Sequence, residues 1–149
     1  MNLRFIKSSE KKDILAQLQK QFGISELRFL LLESGKEKIR GFSGSLSKDE
    51  IFELGKIANI ENIGIYLLRK EDTLRLSFDA TQLLASQISK NIIDISEEQA
   101  REWLRGHDLN IQAAHGTIVI RYGTDFLGCG KSTGLRIANH VPKERRLKK

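Results

Sequence analysis

The residues with the most evident chemistry sit in the C-terminal third of the chain. Gly128-Cys129-Gly130-Lys131-Ser132-Thr133 has the ending of a phosphate-binding loop, in which backbone amides and a lysine cradle phosphates. The full pattern G-x-x-x-x-G-K-[ST] needs a glycine at position 125, where Asp125 stands and would repel the phosphate. The residues after Lys131 are β-forming and run to Pro142, where the motif requires a helix. Nucleotide hydrolysis is therefore not expected, and Gly128 and Gly130 read as a bulge or a close approach of another backbone. His107, His115, His140 and Cys129 share no ligand spacing, so no metal is expected. Cys129 lies among apolar neighbours with nothing to activate it and reads as a small buried hydrophobe. No other cofactor is expected.

Binding chemistry is better represented. Arg136 to Arg146 alternates apolar residues with Arg136, Asn139, His140, Lys143, Arg145 and Arg146. That mixture suits a strand packed on one face and touching nucleic acid on the other. Asn139 and His140 can reach base edges or a 2′-hydroxyl, while the tail Lys143 to Lys149 positions phosphate. Lys131 joins the rim of this surface. Arg105 precedes Gly106 and His107 at a helix end, where it either faces phosphate or complements the helix dipole. Trp103 shares an apolar helical face with Ala100 and Leu104, so packing is its expected role, with base stacking the alternative.

Charge supports the same region. The formal charge is +6, and residues 1–120 contain equal numbers of acids and bases. The excess lies in Arg121, Lys131, Arg136, Lys143, Arg145, Arg146, Lys148 and Lys149, against Asp125 and Glu144. Such a pole suits a polyanion, because neutralising phosphates releases counterions; a merely solubilising end is the alternative.

The elements that position these residues follow from periodicity. Ser9 is expected to cap a helix from Glu10 to about Gln21, with Ile14, Leu15, Leu18 and Phe22 on one stripe and Gly23 closing it. Leu27 to Glu33 reads as a strand buried on both faces, Ser34-Gly35-Lys36 as a turn and Lys38 to Phe42 as the returning strand. Ser47 and Glu50 form a capping box before a helix to about Ala58. Ile63 to Arg69 and Thr73 to Phe78 make a hairpin, and Asp79, with Gln82 three on, is expected to cap a short helix ending near Ile88. Ile92 to Ile95 is a short strand, Ser96 and Gln99 a second capping box, and Gly106 the helix stop. Thr117 to Tyr122, Phe126 to Lys131 and Leu135 to Val141 are expected strands, giving a boundary near Lys90.

Length and composition are those of one compact domain or two small ones, with 40% apolar and 30% charged residues and a single proline. No apolar run approaches the roughly 20 residues of a membrane span, and the start lacks a secretory core. The lone cysteine suits a reducing compartment, so a cytoplasmic location is expected.

Three blocks in order, Trp103 to Leu109, Val119 to Lys131 and Asn139 to Arg146, resemble the PUA-like RNA-binding domain attached to the Sun/Fmu family of rRNA cytosine-5 methyltransferases. There a G-x-G-K hairpin precedes a strand ending N-H-x-P-K-x-x-R. The first ninety residues resemble the domain that precedes PUA in a small ribosome-biogenesis protein of eukaryotes and archaea, on element order and matches such as Leu46-Ser47 before a helix.

The resemblance implies an α+β chain: an N-terminal antiparallel sheet with flanking helices (1–90), then a small PUA-like β-barrel with a basic tail (91–149). It implies RNA contact in a groove between helix and strand, at Arg105, Gly106, His107, Lys131, Asn139, His140, Lys143, Arg145 and Arg146. Arg136 is added from its own place on the basic strand. Catalysis is not implied: the methyltransferases need a glycine-rich loop for S-adenosylmethionine and a Pro-Cys nucleophile, whereas Cys129 follows Gly128. The expected function is therefore RNA binding without catalysis, of rRNA, in ribosome biogenesis or rRNA modification. Its expected protein partner is an rRNA methyltransferase or an assembly factor. An adapter recruiting such a protein is the alternative.

Overall fold

The computed structural model describes residues 3–35, 37–43, 47–57 and 64–148. Lys36, Leu46, Ala58, Ile63 and Lys149, which the sequence places in a turn, before a helix, at a helix end, at a strand start and in the basic tail, lie outside the described residues.

The first part is a five-stranded antiparallel sheet with its strands in chain order. These are β1 (Leu3–Phe5), β2 (Leu30–Ser34), β3 (Lys38–Phe42), β4 (Ile65–Lys70) and β5 (Leu74–Leu76). Helix α1 (Ser8–Phe22) joins β1 to β2 and helix α2 (Lys48–Ile57) joins β3 to β4. The Phe29–Leu32 run works as expected at its centre, because successive side chains of a strand point to opposite faces. Leu31 joins the apolar cluster that includes Ile14, Leu18 and Phe22 of α1, while Leu32 meets Ile51 of α2. Gly23 ends α1 in the left-handed region at φ 85°. The Ser47–Glu50 capping box closes both ways, at 3.2 Å and 3.1 Å.

One element is added to the expectations for this part and two caps are corrected. Strand β1 is an addition: its short alternation is supported by pairing with β2 and by Arg4, which binds both Glu10 and Glu33. Helix α1 starts at Ser8, and Lys7 at its N-cap makes no side-chain cap. The cap of the next helix, α3 (Phe78–Leu83), is Ser77 and not Asp79. The Ser77 hydroxyl accepts from Ala80 N at 3.0 Å and donates to the Tyr66 carbonyl at 2.6 Å, which ends the hairpin strand at Leu76 and frees Phe78 to begin the helix. A 3₁₀ turn, Ala85–Gln87, follows α3.

The second part is a curled four-stranded half-barrel. It comprises β6 (Ile92–Asp94), β7 (Gly116–Tyr122), β8 (Asp125–Ser132) and β9 (Ile137–Ala138), in that order. Strands β6 and β7 are parallel, with α4 (Glu97–Leu104) between them in the chain. The other pairs are antiparallel. Gly128, at φ 83°, lies where two residues of β8 face one of β7, the expected bulge. Gly130 is a close approach: a Cβ there would stand 2.3 Å from Ile137 and 2.7 Å from Trp103.

The strand expected over Leu135 to Val141 contracts to two residues. Asn139 N–H lies on the edge that faces away from β8, as Ile137 N–H does, and binds the Asp108 carboxylate at 2.8 Å, while the Asn139 side chain turns to the end of α4. The chain then enters a 3₁₀ turn, Lys143–Arg145, and folds back on α4. The two sheets share an apolar cluster, in which Val119, Phe126 and Cys129 join Leu74, Leu76 and Ala80. A second cluster centres on Trp103, with Ile118, Ile120, Leu127 and Ile137.

Candidate nucleic-acid interface

Helix α4 begins with the expected capping box, Ser96 with Gln99, at 2.9 Å and 3.2 Å. Trp103 is fully buried and donates from Nε1 to the Leu127 carbonyl at 2.7 Å, so its role is packing. The last carbonyls of the helix would ordinarily face water. Here the C-terminal segment takes them. Asn139 Nδ2 donates to the carbonyls of Trp103 at 2.7 Å and His107 at 2.9 Å, and Leu147 N–H donates to the Leu104 carbonyl at 2.7 Å. Asn139 Oδ1 accepts from Val141 N–H at 2.8 Å. The Asn139 side chain is thus directed inward and fastens the helix end to the chain that follows β9.

Gly106 is a glycine for two reasons. Its φ is 92°, and a Cβ would stand 2.6 Å from Nε of Arg146. Arg146 lies across this gap and donates from Nε to the Val141 carbonyl at 3.0 Å. The result is a groove of about 590 Å³ at the helix end, lined by Arg105, His107, Lys143, Arg146, Leu147 and Lys148, with Glu144 at its edge. Glu102 sits beside it, bound to Arg105 at 3.1 Å and to His107, and these two neighbours hold its carboxyl below the usual range. Lys143 and Lys148 form no ion pair among the described residues.

The residues expected to form one surface divide into three sets. Arg105, Gly106, His107, Lys143 and Arg146 come together at the groove. Lys131 and His140 lie in a separate polar cluster with Arg75 and Glu71, in which Lys131 is 4.0 Å from Glu71. Partial desolvation, with Arg75 and Lys131 nearby, pushes the His140 imidazole below its ordinary value. Arg136 binds Asp108 at 2.6 Å, and Arg145 turns away from the groove to Asp79 at 3.1 Å. The tail is therefore a folded turn and not a free strand of charge. Lys148 belongs to the basic tail expected to position phosphate, whereas Leu147 is a groove residue that no motif indicated. Their position follows from the Leu147 to Leu104 hydrogen bond, which a sequence pattern does not encode.

A second cleft, of about 610 Å³, lies on the other side of the Lys143–Arg145 turn, against the first sheet. Lys38, Arg40 and Tyr66 line it opposite Arg145. The signal for the two bases was their alternation with Ile39 on β3.

Comparisons with known proteins bear on the family and the fold. Residues 90–147 match the family model described as the methyltransferase RsmF PUA domain. The chain is 38% identical over 63 residues to ribosomal RNA small subunit methyltransferase F of Vibrio cholerae, covering 41% of this chain and 13% of that enzyme. It is 32% identical over 95 residues to the Shewanella oneidensis enzyme of the same name, covering 61% and 20%. The chain thus spans at most a fifth of these curated relatives. The solved structure of a conserved PUA domain protein from Thermoplasma acidophilum superposes over 95% of each chain with a TM-score of 0.62 and 16% identity, which establishes the fold. Residues 90–147 are accordingly a PUA-like domain resembling the C-terminal domain of the Sun/Fmu rRNA methyltransferases, carried in a chain with the overall fold of a PUA-domain protein.

Proposed function

We propose that this protein binds RNA through the groove at the end of α4 and that the segment catalyses no reaction. The observation that carries the reading is the convergence of Arg105, Lys143, Arg146 and Lys148 on one concavity, with Glu144 the only acid lining it among the described residues. Cations so placed favour phosphate, and the imidazole of His107 adds a polar contact for a base edge or 2′-hydroxyl. Within this reading rRNA is the target, because the relatives are named for rRNA methylation and the match falls on their PUA segment. Residues 1–90 and 91–149 act as two functional units, the second holding RNA and the first extending or directing that contact. The setting is ribosome biogenesis or rRNA modification in the cytoplasm.

Within this reading Cys129 does not act as a nucleophile. Burial pushes its thiol up to about 12, opposite to the shift a nucleophile needs.

The test is affinity for structured rRNA fragments measured across salt. Binding should weaken steeply with salt, and Lys143→Ala and Arg105→Ala should each weaken it. No binding at low salt, or binding indifferent to both substitutions, rejects the reading. A second reading, recruitment of a separately encoded methyltransferase or assembly factor, draws on the small share of the enzymes that this chain matches. It predicts a specific protein partner for the full chain whose capture does not require RNA.

A further inference from the structure

The 3₁₀ turn Lys143–Arg145 separates two concavities, and Glu144 lines both. On one side Lys143 faces the α4 groove. On the other, Arg145 faces a cleft whose far wall is the first sheet. Three cations from two elements meet there: Lys38 and Arg40 on β3, and Arg145 on the turn. Two acids, Asp79 and Glu144, also line it, and Asp79 is already engaged by Arg145 at 3.1 Å. Arg40 donates to the Gly64 carbonyl at 3.0 Å, which fixes its guanidinium at the wall. Tyr66 is half-buried beside it, with Nζ of Lys38 5.7 Å from the ring centre. Tyr66 thus presents an aromatic surface among cations, the pairing that holds a base and its phosphate in single-strand sites.

We propose that this cleft is a second RNA contact, taking a phosphate and a base of a single-stranded segment that leaves the α4 groove across the Lys143–Arg145 turn. The inference rests on the RNA reading of that groove and extends it to the first sheet. Continuity argues for RNA as the occupant: one flexible polyanion following the shared wall meets Lys143, then Arg145, then Lys38.

The experiment uses the full chain and oligouridylates of about 5 and about 15 nucleotides, lengths bracketing a single binding surface. Lys38→Glu reverses an exposed charge and should weaken the longer RNA about tenfold while leaving the shorter one within about twofold. Tyr66→Leu should act in the same direction, and Tyr66→Phe, which keeps the ring, should restore the affinity. Lys143→Ala should weaken both lengths. If Tyr66→Leu unfolds the protein, Lys38→Glu alone decides the matter. Equal effects of Lys38→Glu on both lengths, or no effect on either, overturn the second contact and leave the α4 groove standing. Failure of the unsubstituted chain to bind the longer RNA overturns this extension, and failure to bind structured rRNA fragments at low salt overturns the groove with it. Binding of polyglutamate to the unsubstituted chain that Lys38→Glu abolishes, with the longer RNA indifferent to Lys38→Glu, would assign the cleft to acidic peptide and overturn the RNA assignment.

Discussion

Arg136 to Val141 and Lys143 to Lys148 look alike in sequence, both mixing bases with polar and apolar residues, yet they do opposite work in the fold. The inner segment turns its hydrogen-bonding groups toward the protein. Asn139 closes the end of α4, its N–H binds Asp108, and Arg136 completes that pair from outside. The outer segment sets Lys143, Arg146 and Lys148 around a groove and sends Arg145 to Asp79 on the far side of the turn. Specificity of position thus comes from the first and charge from the second. A basic run is consequently a poor guide to a binding surface until the partners of each side chain are known.

The comparison is broken most severely at its foundation. Trp103→Ala removes the centre of the second apolar cluster and the Leu127 hydrogen bond, and should cost about 3–5 kcal/mol, seen as an earlier midpoint in a urea melt. Any accompanying loss of RNA binding should disappear once the folded fraction is accounted for. Asn139→Ala should come next. It removes the partners of the His107 carbonyl and the Val141 N–H and leaves the Trp103 carbonyl with Gly106 N–H, an expected loss of about 2 kcal/mol in the same melt. If stability holds and affinity falls instead, the inner segment is a contact surface and the division made above is wrong.

The outer segment should behave in reverse. Lys143→Ala with Lys148→Ala should leave the melt within about 0.5 kcal/mol of the parent. It should reduce the salt slope of RNA binding by about 0.7 for each phosphate that is no longer neutralised.

The smallest effect is acid-dependent and lies in the inner segment. Asn139 N–H and then Arg136 hold the Asp108 carboxyl below its ordinary value of 3.8. A depressed carboxylate contributes stability that is fully present above the unfolded value and is lost as pH falls through the folded one. Asp108→Asn keeps an acceptor for Asn139 and removes the titration, so the decline in stability below about pH 4 should flatten in thermal melts taken along an acid series. An unchanged acid limb would show that Asp108 is not one of the groups responsible.

Much of the fold was legible because local signals carry it. Both capping boxes, Gly23, the Leu31–Leu32 pair and the glycine-rich strand are short-range patterns with one physical reading each. The misses share a cause. Asp79 satisfies the cap pattern, but Ser77 wins because its hydroxyl also reaches the Tyr66 carbonyl across the hairpin. Leu135 to Val141 has strand periodicity, but Asn139 is held by Asp108 and by the carbonyls of Trp103 and His107, far back along the chain, and the strand ends at Ala138. Arg145 was grouped with Arg146 on charge, and only the packing of α3 against β8 shows that Asp79 turns it to the opposite side. Where a residue's direction depends on a partner far along the chain, periodicity has no access to it.

The contact between α3 and β8 has a bearing on how such a module can travel between proteins. Phe78 lies against Gly128, with a Cβ at that glycine only 3.1 Å from its ring, and Thr81 Oγ1 accepts from Gly128 N–H at 3.1 Å. This is a fitted lid over the back of β8, and it also shelters Phe126 and Cys129 from water. A half-barrel transplanted without its lid would arrive with a raw apolar face and an unmatched amide. The match to the Shewanella enzyme covers 61% of this chain, more than residues 90–149 can supply, so the similarity begins upstream of residue 90, on the side of the chain where the lid is encoded. The stretch similar to that enzyme is therefore longer than the half-barrel.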